Sequence, residues 1–507
     1  MGSTQVAGAA EERSAYVINT VVGTGVAGSD GDGGPAGSAE LQVPGGIAVD
    51  STGALYIADT ENHRVRKVTP DGIITTVAGT GNMSAVGDNG PAVSAQLKSP
   101  SAVAVDSTGV LYIADTENHR VRKVTPDGII TTVAGTGNMS AVGDNGPAAS
   151  ALLNSPRAVA VDSAGVLYIA EHDGHRVRKV AVDGTITTLA GTGEAGFAGD
   201  GGPAVSAQLN TPRALALDSA GNVYIADYKN DRVRKVTADG TITTVAGRGD
   251  QGTWGDGPAP TVLVLAPVGL AVDSAGVLYI AENGRRVRQV TTDGMISTFA
   301  GSWRDRGFDG DGGPPAAALL SNPFGLAVDG DDSVYIADRG NNRVRKVASA
   351  KPEGLPESGT VVFWANVRSR LRMAVLSQSK KDGAQVHHLP ASPRDYQRWR
   401  LVVVGQDGGD VLYRIENVRS GKVLEVDGVR EASGASVAQR AYEGAEAHHQ
   451  QWKLVPVGAA ADTPRAYEIV NRNSGLRLRA ESNAPGAIRQ RGPEGEAQAR
   501  QWHLLPV

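Results

Sequence analysis

The sequence predicts an all-β protein of two units, a closed six-bladed β-propeller followed by a smaller three-fold β domain. Three observations carry this. One segment recurs six times, its first four copies at a period of 56 residues. Gly 66 and Pro 25 are spread over 507 residues with no collagen-like period, as many short strands joined by tight turns require. Three Trp-bearing segments recur in the last third of the chain.

The repeat begins at Pro44 and runs through Asp50, Tyr56-Ile57-Ala58-Asp59, Asn62-His63-Arg64-Val65, Asp71-Gly72 and Ala78-Gly79. It starts again at Pro100, Pro156, Pro212, Pro267 and Pro323. Each copy reads as four short strands, 46–49, 55–58, 64–68 and 73–78 in the first, separated by Asp-Ser-x-Gly, Asp-x-x-Asn and Asp-Gly turn signals. The sixth copy stops after Arg343-Val344-Arg345-Lys346-Val347, without its fourth strand. Residues 18–25 match 74–81, so the N-terminal strand is expected to complete the last blade and close the ring, leaving no broad open edge.

Asn-His-Arg after Tyr-Ile-Ala-Asp, with Arg-Val-Arg-Lys-Val following, resembles the NHL repeat family over about 16–348. The resemblance implies a propeller that binds protein, RNA or glycan. It also implies a rival, because the amidating lyases, similar in fold, hold a metal in the channel with His from several blades.

Residues present in every blade are expected to be architecture, since a reaction centre needs different groups in different roles. Asp59, Asp115, Asp227 and Asp338, with Glu171 and Glu282 in the same slot, are read as structural, with a repeated Arg such as Arg64 or Arg120 as ion-pair or turn partner. His63, His119 and His175 match one another and offer a zinc or iron site, but neighbouring loops should lie on the order of 10 Å apart whereas ligands need about 2 Å to a shared ion. Blades four to six place Asp231, Arg286 and Asn342 in that slot. Asp32, Asp88, Asp144, Asp200, Asp256 and Asp311, in the inter-blade loops, are read mainly as turn residues and otherwise as a ring able to collect Ca²⁺. No other cofactor is expected.

Ligand candidates are the positions that break the symmetry of the loop-bearing face: Glu171, His172 and Asp173; Tyr228 and Lys229; Trp254; Asn283 and Arg285; Trp303, Arg304, Asp305, Phe308 and Asp309. Aromatics beside charges suit a ligand site, though the rings alternatively pin long loops. Glu171, His172 and Asp173 could supply acid and base groups, but contiguous residues point different ways. No Ser-His-Asp pattern, phosphate loop or dinucleotide fingerprint occurs.

Residues 1–15 are expected to be a flexible terminus and 349–358, rich in Pro and Gly, a linker. The remainder, 359–507, repeats Gln397-Arg398-Trp399, Gln450-Gln451-Trp452 and Arg500-Gln501-Trp502, each after a strand-turn-strand stretch. This triplicated Gln-x-Trp resembles the ricin-type β-trefoil lectins. The resemblance implies core positions for the three Trp and a sugar grip built from an acid, a Gln, an aromatic and an Asn. Only the middle lobe approaches it, with Glu425, Asp427, Tyr442, His449 and Gln450. Ala438 and Arg440 stand near the expected Gln and aromatic, His449 replaces the Asn, and the other lobes place Ala374 and Arg479 at the acid position.

Charge is uneven: 1–356 carries 28 Lys+Arg against 38 Asp+Glu, net −10, and 357–507 carries 21 against 16, net +5. The two units are expected either to dock on each other or to meet partners of opposite sign, and neither is basic enough for nucleic acid. Cys 0 excludes disulfides and a thiol nucleophile. No apolar run is long enough to span a membrane and 1–15 lack a secretory signal, so the chain as written is expected to be cytoplasmic, with an extracellular location left open. The sequence predicts a non-catalytic recognition protein that binds a glycan or glycoconjugate through the trefoil and protein or another ligand through the propeller. The alternative is a propeller enzyme, a metal-dependent lyase or hydrolase, with the trefoil for targeting.

Overall fold

A computed structural model describes residues 16–249, 252–253, 255–302, 305–349, 360–392, 395–407, 410–426, 435–443, 448–457, 466–480, 485–491 and 497–506. Two compact units divide between Ser349 and Ala350. The expected flexible terminus, 1–15, and all but the first residue of the expected linker lie outside the described residues. That first residue, Ser349, ends a strand and pairs with Tyr16. No helix among the described residues is long and apolar enough to cross a membrane.

The first blade is the antiparallel set Pro44–Val49, Leu55–Asp59, Arg64–Val68 and Ile74–Ala78. Five more follow. The last combines Pro323–Val328, Val334–Asp338 and Arg343–Ser349 with the N-terminal strand Tyr16–Val22, in the register Ile18↔Val347 and Asn19↔Lys346. The ring therefore closes as the matching of 18–25 to 74–81 predicts. Leu55, Tyr56, Ile57, Ala58 and Asp59 are all buried, because the second strand has a neighbouring blade on both faces. A continuous apolar run, rather than alternation, is what such a strand needs. The cores lie between blades: Tyr56, Ala58 and Val65 of the first pack with Val103, Leu111 and Ile113 of the second.

Each blade also buries an arginine completely at one matching position. Arg66, Arg122, Arg178, Arg234, Arg288 and Arg345 are 0% exposed. Arg122 lies between Asp115, at the end of the second strand (3.3 Å), and Asp88, in the preceding loop (2.6 Å). The same triad recurs as Asp32–Arg66–Asp59, Asp144–Arg178–Glu171, Asp200–Arg234–Asp227, Asp256–Arg288–Glu282 and Asp311–Arg345–Asp338. A lone buried guanidinium costs several kcal/mol, which two carboxylates offset. The loop carboxylates, expected as turn residues or as a ring for Ca²⁺, are thus each engaged by their own blade's arginine.

The expected partners Arg64 and Arg120 do not fill this role. Arg64 stands directly opposite Asp59 in the register, and its long side chain reaches past it to the Thr80 carbonyl (3.0 Å). Arg66, two residues deeper, has the right reach. Burial pushes Asp59, Asp115, Asp227 and Asp338 up to about 6, against the pull of their Asn, backbone and Arg partners. Blade three varies the theme: Gly174 stands where Asn62 and Asn118 stand, and the longer Glu171 fills the room. A Cβ on Gly174 would lie 2.6 Å from Glu171 Oε2.

The matched histidines join blades. His63, His119 and His175 take left-handed φ of 54°, 51° and 50° in the turn before the third strand, and each Nδ1 accepts the next blade's N–H, from Ser99 (3.1 Å), Ser155 (3.2 Å) and Thr211 (3.1 Å). Asp231 and Asn342 do the same for Ala266 and Val43 (2.7 and 2.9 Å). Blade five is one residue shorter here. Arg286, expected in the histidine slot, takes the register place of Arg64 but, unlike Arg64, is buried and ion-paired with the acid opposite it, Glu282, and the Gly284 carbonyl accepts the Asn322 N–H (2.8 Å). The three imidazoles serve three separate junctions and do not converge on a common centre.

This clamp needs an unprotonated Nδ1. Burial holds His119 and His175 below their ordinary value, so the folded chain binds fewer protons there than the unfolded chain. Their contribution is full above about pH 6.5 and is lost as the pH falls through the folded value. The double variant His119→Asn/His175→Asn copies the side chain at Asn342. Between pH 7.5 and 5, calorimetry is expected to show the wild-type propeller's melting temperature falling by several degrees more than the variant's; parallel curves would show that the clamp does not titrate.

In the second unit, Trp399, Trp452 and Trp502 are fully buried in one core with Trp364, Leu401, Ile415 and Ile469. Their Nε1 groups donate to the Met373, Leu424 and Leu478 carbonyls at 3.1, 3.0 and 3.2 Å, each on the second strand of its lobe. The three tryptophans are core, as the motif implies. Asn366, Asn417 and Asn471 form a second threefold set, each Nδ2 donating to carbonyls beside a Trp motif.

Candidate ligand-binding site

The loops after each second strand and the inter-blade loops share one face of the propeller, as the Asp–Arg–Asp triads require. Directly after the buried acid, the six blades place Thr60, Thr116, His172, Tyr228, Asn283 and Arg339. Below them, the second residue of each first strand gives Gly45, Ser101, Arg157, Arg213, Val268 and Phe324. In blades one and two the threonine hydroxyl donates to a carbonyl of the next blade, Pro100 (2.9 Å) or Pro156 (2.7 Å). That is architecture. From blade three onward the ring changes character.

Arg213 lies 4.0 Å over the Tyr228 ring, Asn283 Nδ2 donates to Tyr228 Oη (3.4 Å), and Arg339 lies 4.9 Å over Phe324. Such cation–π contacts fix a guanidinium without neutralising it. His172 Nδ1 shares a 2.8 Å bond with Asp173, whose other oxygen accepts the Ser155 hydroxyl at 2.5 Å. Burial, opposed by Asp173, pushes His172 down to about 4, so the imidazole is neutral at pH 7. Beneath this ring the channel narrows to about 60 Å³. Tight packing of the first strands causes this: a Cβ on Gly269 would overlap the Phe324 carbonyl, at 1.8 Å. Drug-sized ligands fill several hundred Å³, so the mouth admits only a small group or the end of a larger molecule.

The structure brings His172, Asp173 and Tyr228 together. It separates Glu171 from them: that side chain is fully buried, bonded to Arg178 (3.1 Å), and pushed up to about 7 by burial. Asn283 and Arg285 line a neighbouring cleft of about 540 Å³ with Leu265, Glu282, Arg286 and Arg306. Phe308 does not break the symmetry. It lies 3.7 Å over Arg343 and Phe197 lies 3.7 Å over Arg232, the same contact two blades apart. Asp309 accepts the Gly310 N–H (2.7 Å), a turn role, and Asp305 is exposed. Trp254, Trp303 and Arg304 lie outside the described residues. Sequence reasoning missed Arg157, Arg213 and Arg339, although the symmetry test that selected Tyr228 finds all three when applied to the first strand and to the residue after the acid.

In the trefoil, Glu425 is 1% exposed, with Oε1 paired to Arg440 (2.6 Å) and Oε2 accepting from Gln450 (2.8 Å). His449 lies 3.5 Å from that carboxylate and 3.7 Å from Glu443. Gln450 serves as a clasp, donating to the Ala441 carbonyl (3.0 Å) and accepting the Glu443 N–H (3.0 Å). Gln397 closes its own lobe in the same way onto Pro390 and Ser392. Tyr442 packs against Arg414 (4.8 Å). Asp427 lies outside the described residues. Arg440, near the slot expected for an aromatic, is thus the chain's own partner for the acid.

Comparison with known proteins identifies both units. Residues 24–86, 80–142, 136–197 and 192–254 match the Teneurin NHL domain, 320–347 the NHL repeat, and 355–440 and 395–490 the Ricin-type beta-trefoil lectin domain-like family. Teneurin-3 of Danio rerio is 31% identical over 391 residues, covering 68% of this chain, and Teneurin-3 of Mus musculus 33% over 359 residues, covering 63%. The chain spans only 14% and 13% of those relatives. A protein of unknown function from Bacteroides thetaiotaomicron, solved by crystallography, shares the fold at a TM-score of 0.51 and 22% identity, over 66% of this chain and 76% of that one. The chain is an NHL-repeat six-bladed β-propeller joined to a ricin-type β-trefoil lectin-like domain.

Proposed function

We propose that this is a non-catalytic recognition protein whose trefoil contacts a glycan at its middle lobe and whose loop-bearing propeller face holds a second ligand, a protein or a glycoconjugate. One observation carries the reading. The repeated carboxylates and the matched histidines are engaged in blade architecture, so the groups left over are those of one asymmetric mouth, and they suit binding: guanidiniums, a tyrosine, an asparagine and a neutral imidazole. The match to the lectin-like family supports the trefoil's part, and Glu425 is the acid in the slot where Ala374 and Arg479 stand in the other lobes. Two weak sites on one chain gain by avidity.

A glycan array probed with the whole chain, with Ca²⁺ and with chelator, tests this. Binding is expected to fall at least about tenfold in Glu425→Gln, which removes the buried charge that holds Arg440 in place at the middle lobe. Signals unchanged in Glu425→Gln would move the sugar site elsewhere, and silence in every condition would remove the glycan reading. Tyr228→Ala reports separately on the propeller face.

A further inference from the structure

Arg157, Arg213 and Arg339 belong to blades three, four and six, and because blades three and six face each other across the ring, the three guanidiniums approach the channel mouth from opposite sides. Burial, reinforced by Arg157, holds both Arg213 and Arg339 below the usual arginine range, and Arg213 is depressed further by Arg339. They are near enough to repel one another. Each is half-buried, and among the described residues none forms an ion pair with a carboxylate. Asp173, which Arg213 feels, is engaged by His172 and Ser155, and Glu61, which Arg339 feels, is exposed.

The contrast with the rest of the ring gives this weight. All six fully buried arginines sit between two carboxylates, so the fold neutralises guanidiniums when structure is their only task. Ser101 shows what the slot holds when it is architectural: its hydroxyl lies beside that of Thr116 (2.5 Å) and donates to the Arg157 carbonyl (2.9 Å). The arginines at the mouth replace such a tie with repulsion, held in place by stacking on Tyr228 and Phe324. A cleft of one sign with low-dielectric walls concentrates the opposite charge.

We propose that the channel mouth is an oxyanion site, in which Arg157, Arg213 and Arg339 receive a phosphate or carboxylate group at the end of the propeller's ligand. This rests on the reading of that face as a ligand face. The narrow waist below limits the inserted part to a group of this size, and guanidinium forks suit planar or tetrahedral oxyanions.

The test is titration calorimetry of the whole chain at low ionic strength with inorganic phosphate and, separately, citrate, with chloride as the control for bulk screening. The variants are Arg157→Ser/Arg213→Ser, which copies Ser101, and Arg157→Lys/Arg213→Lys, which keeps the charge. The wild type is expected to bind one of the two probes, which identifies the anion class. The serine variant is expected to lose at least about tenfold, the loss of one or two charge-assisted bonds. The lysine variant is expected to lose less. Without anion, the serine variant should melt no lower than the wild type, because it sheds repulsion. Wild-type silence towards both probes, or equal affinity in the serine variant, would overturn the proposal. Either result leaves the ligand-face reading to the Tyr228→Ala arrays, so the two failures are distinguishable.

Discussion

Replacing Arg122 with Met is expected to destabilise the propeller by about 3–5 kcal/mol. The methionine matches the stem of the side chain it replaces, so little volume is lost. What is lost is the cation between Asp115, which is 0% exposed, and Asp88. Asp115 keeps its bonds from Asn118 (2.8 Å) and the Lys98 N–H (2.7 Å), but a buried carboxylate without its counter-charge resists ionisation. Its folded pKa, already raised to about 6 by burial, rises further. A carboxyl raised above its unfolded value stabilises below that unfolded value and loses the contribution as the pH climbs through the folded one. The deficit of the variant should therefore shrink between pH 7 and pH 5. Arg122→Met/Asp115→Asn should recover part of the loss at pH 7, because it removes the orphaned charge as well. Four of the six tryptophans lie beyond residue 360, so urea titration by fluorescence reports mainly the trefoil and circular dichroism is needed for the propeller. A loss that did not vary with pH would mean that packing, not charge, sets the role of Arg122.

That triad marks the limit of what the sequence shows. Strand order, blade number and closure are legible because they are written as spacing: Tyr-Ile-Ala followed by an acid every 55 or 56 residues, and a match between 18–25 and 74–81 that only a shared strand position explains. The tryptophans are legible because the motif recurs at three equivalent places. Side-chain partners are not, since they depend on reach across the pleat. Arg64 lies opposite Asp59 and misses it, whereas Arg66 arrives from two residues deeper. The candidate site divides on the same line. Symmetry breaking selects Tyr228, His172 and Asn283, which the fold sets directly after the buried acids, but it also selects Phe308, because the equivalence to Phe197 skips one blade, and Glu171, because a longer acid looks like specialisation when it compensates for Gly174. Glu425 was legible as the acid of the middle lobe; its pairing with Arg440 was not, because hairpin register decides which residue of the neighbouring strand faces it.

The second large effect concerns closure. Ile18→Asp is expected to cost about 3–5 kcal/mol, the range for an unpaired charge in a packed core. Ile18 is 0% exposed among Leu320, Ile336 and Val347, the equivalent of Ile130 in the second blade, which is also 0% exposed. Ile130→Asp should therefore cost a similar amount locally, yet the consequences differ. Ile130 sits in a strand held to its blade at both ends, by the turn from 120–124 and by the loop into the next blade. Tyr16–Val22 joins the ring covalently only on its C-terminal side, and its register with Arg343–Ser349 spans more than three hundred residues of sequence. Once Ile18 is lost from the core, that strand can leave as a unit and expose Arg343–Ser349 as an unpaired edge. Light scattering at rising concentration should show self-association of Ile18→Asp and a monodisperse Ile130→Asp. Limited proteolysis should cut the first variant within 16–25 while the rest of the ring resists. Equal behaviour of the two variants would mean that the blades hold the ring shut without the closing strand, through the His63-type clamps and the inter-blade cores alone.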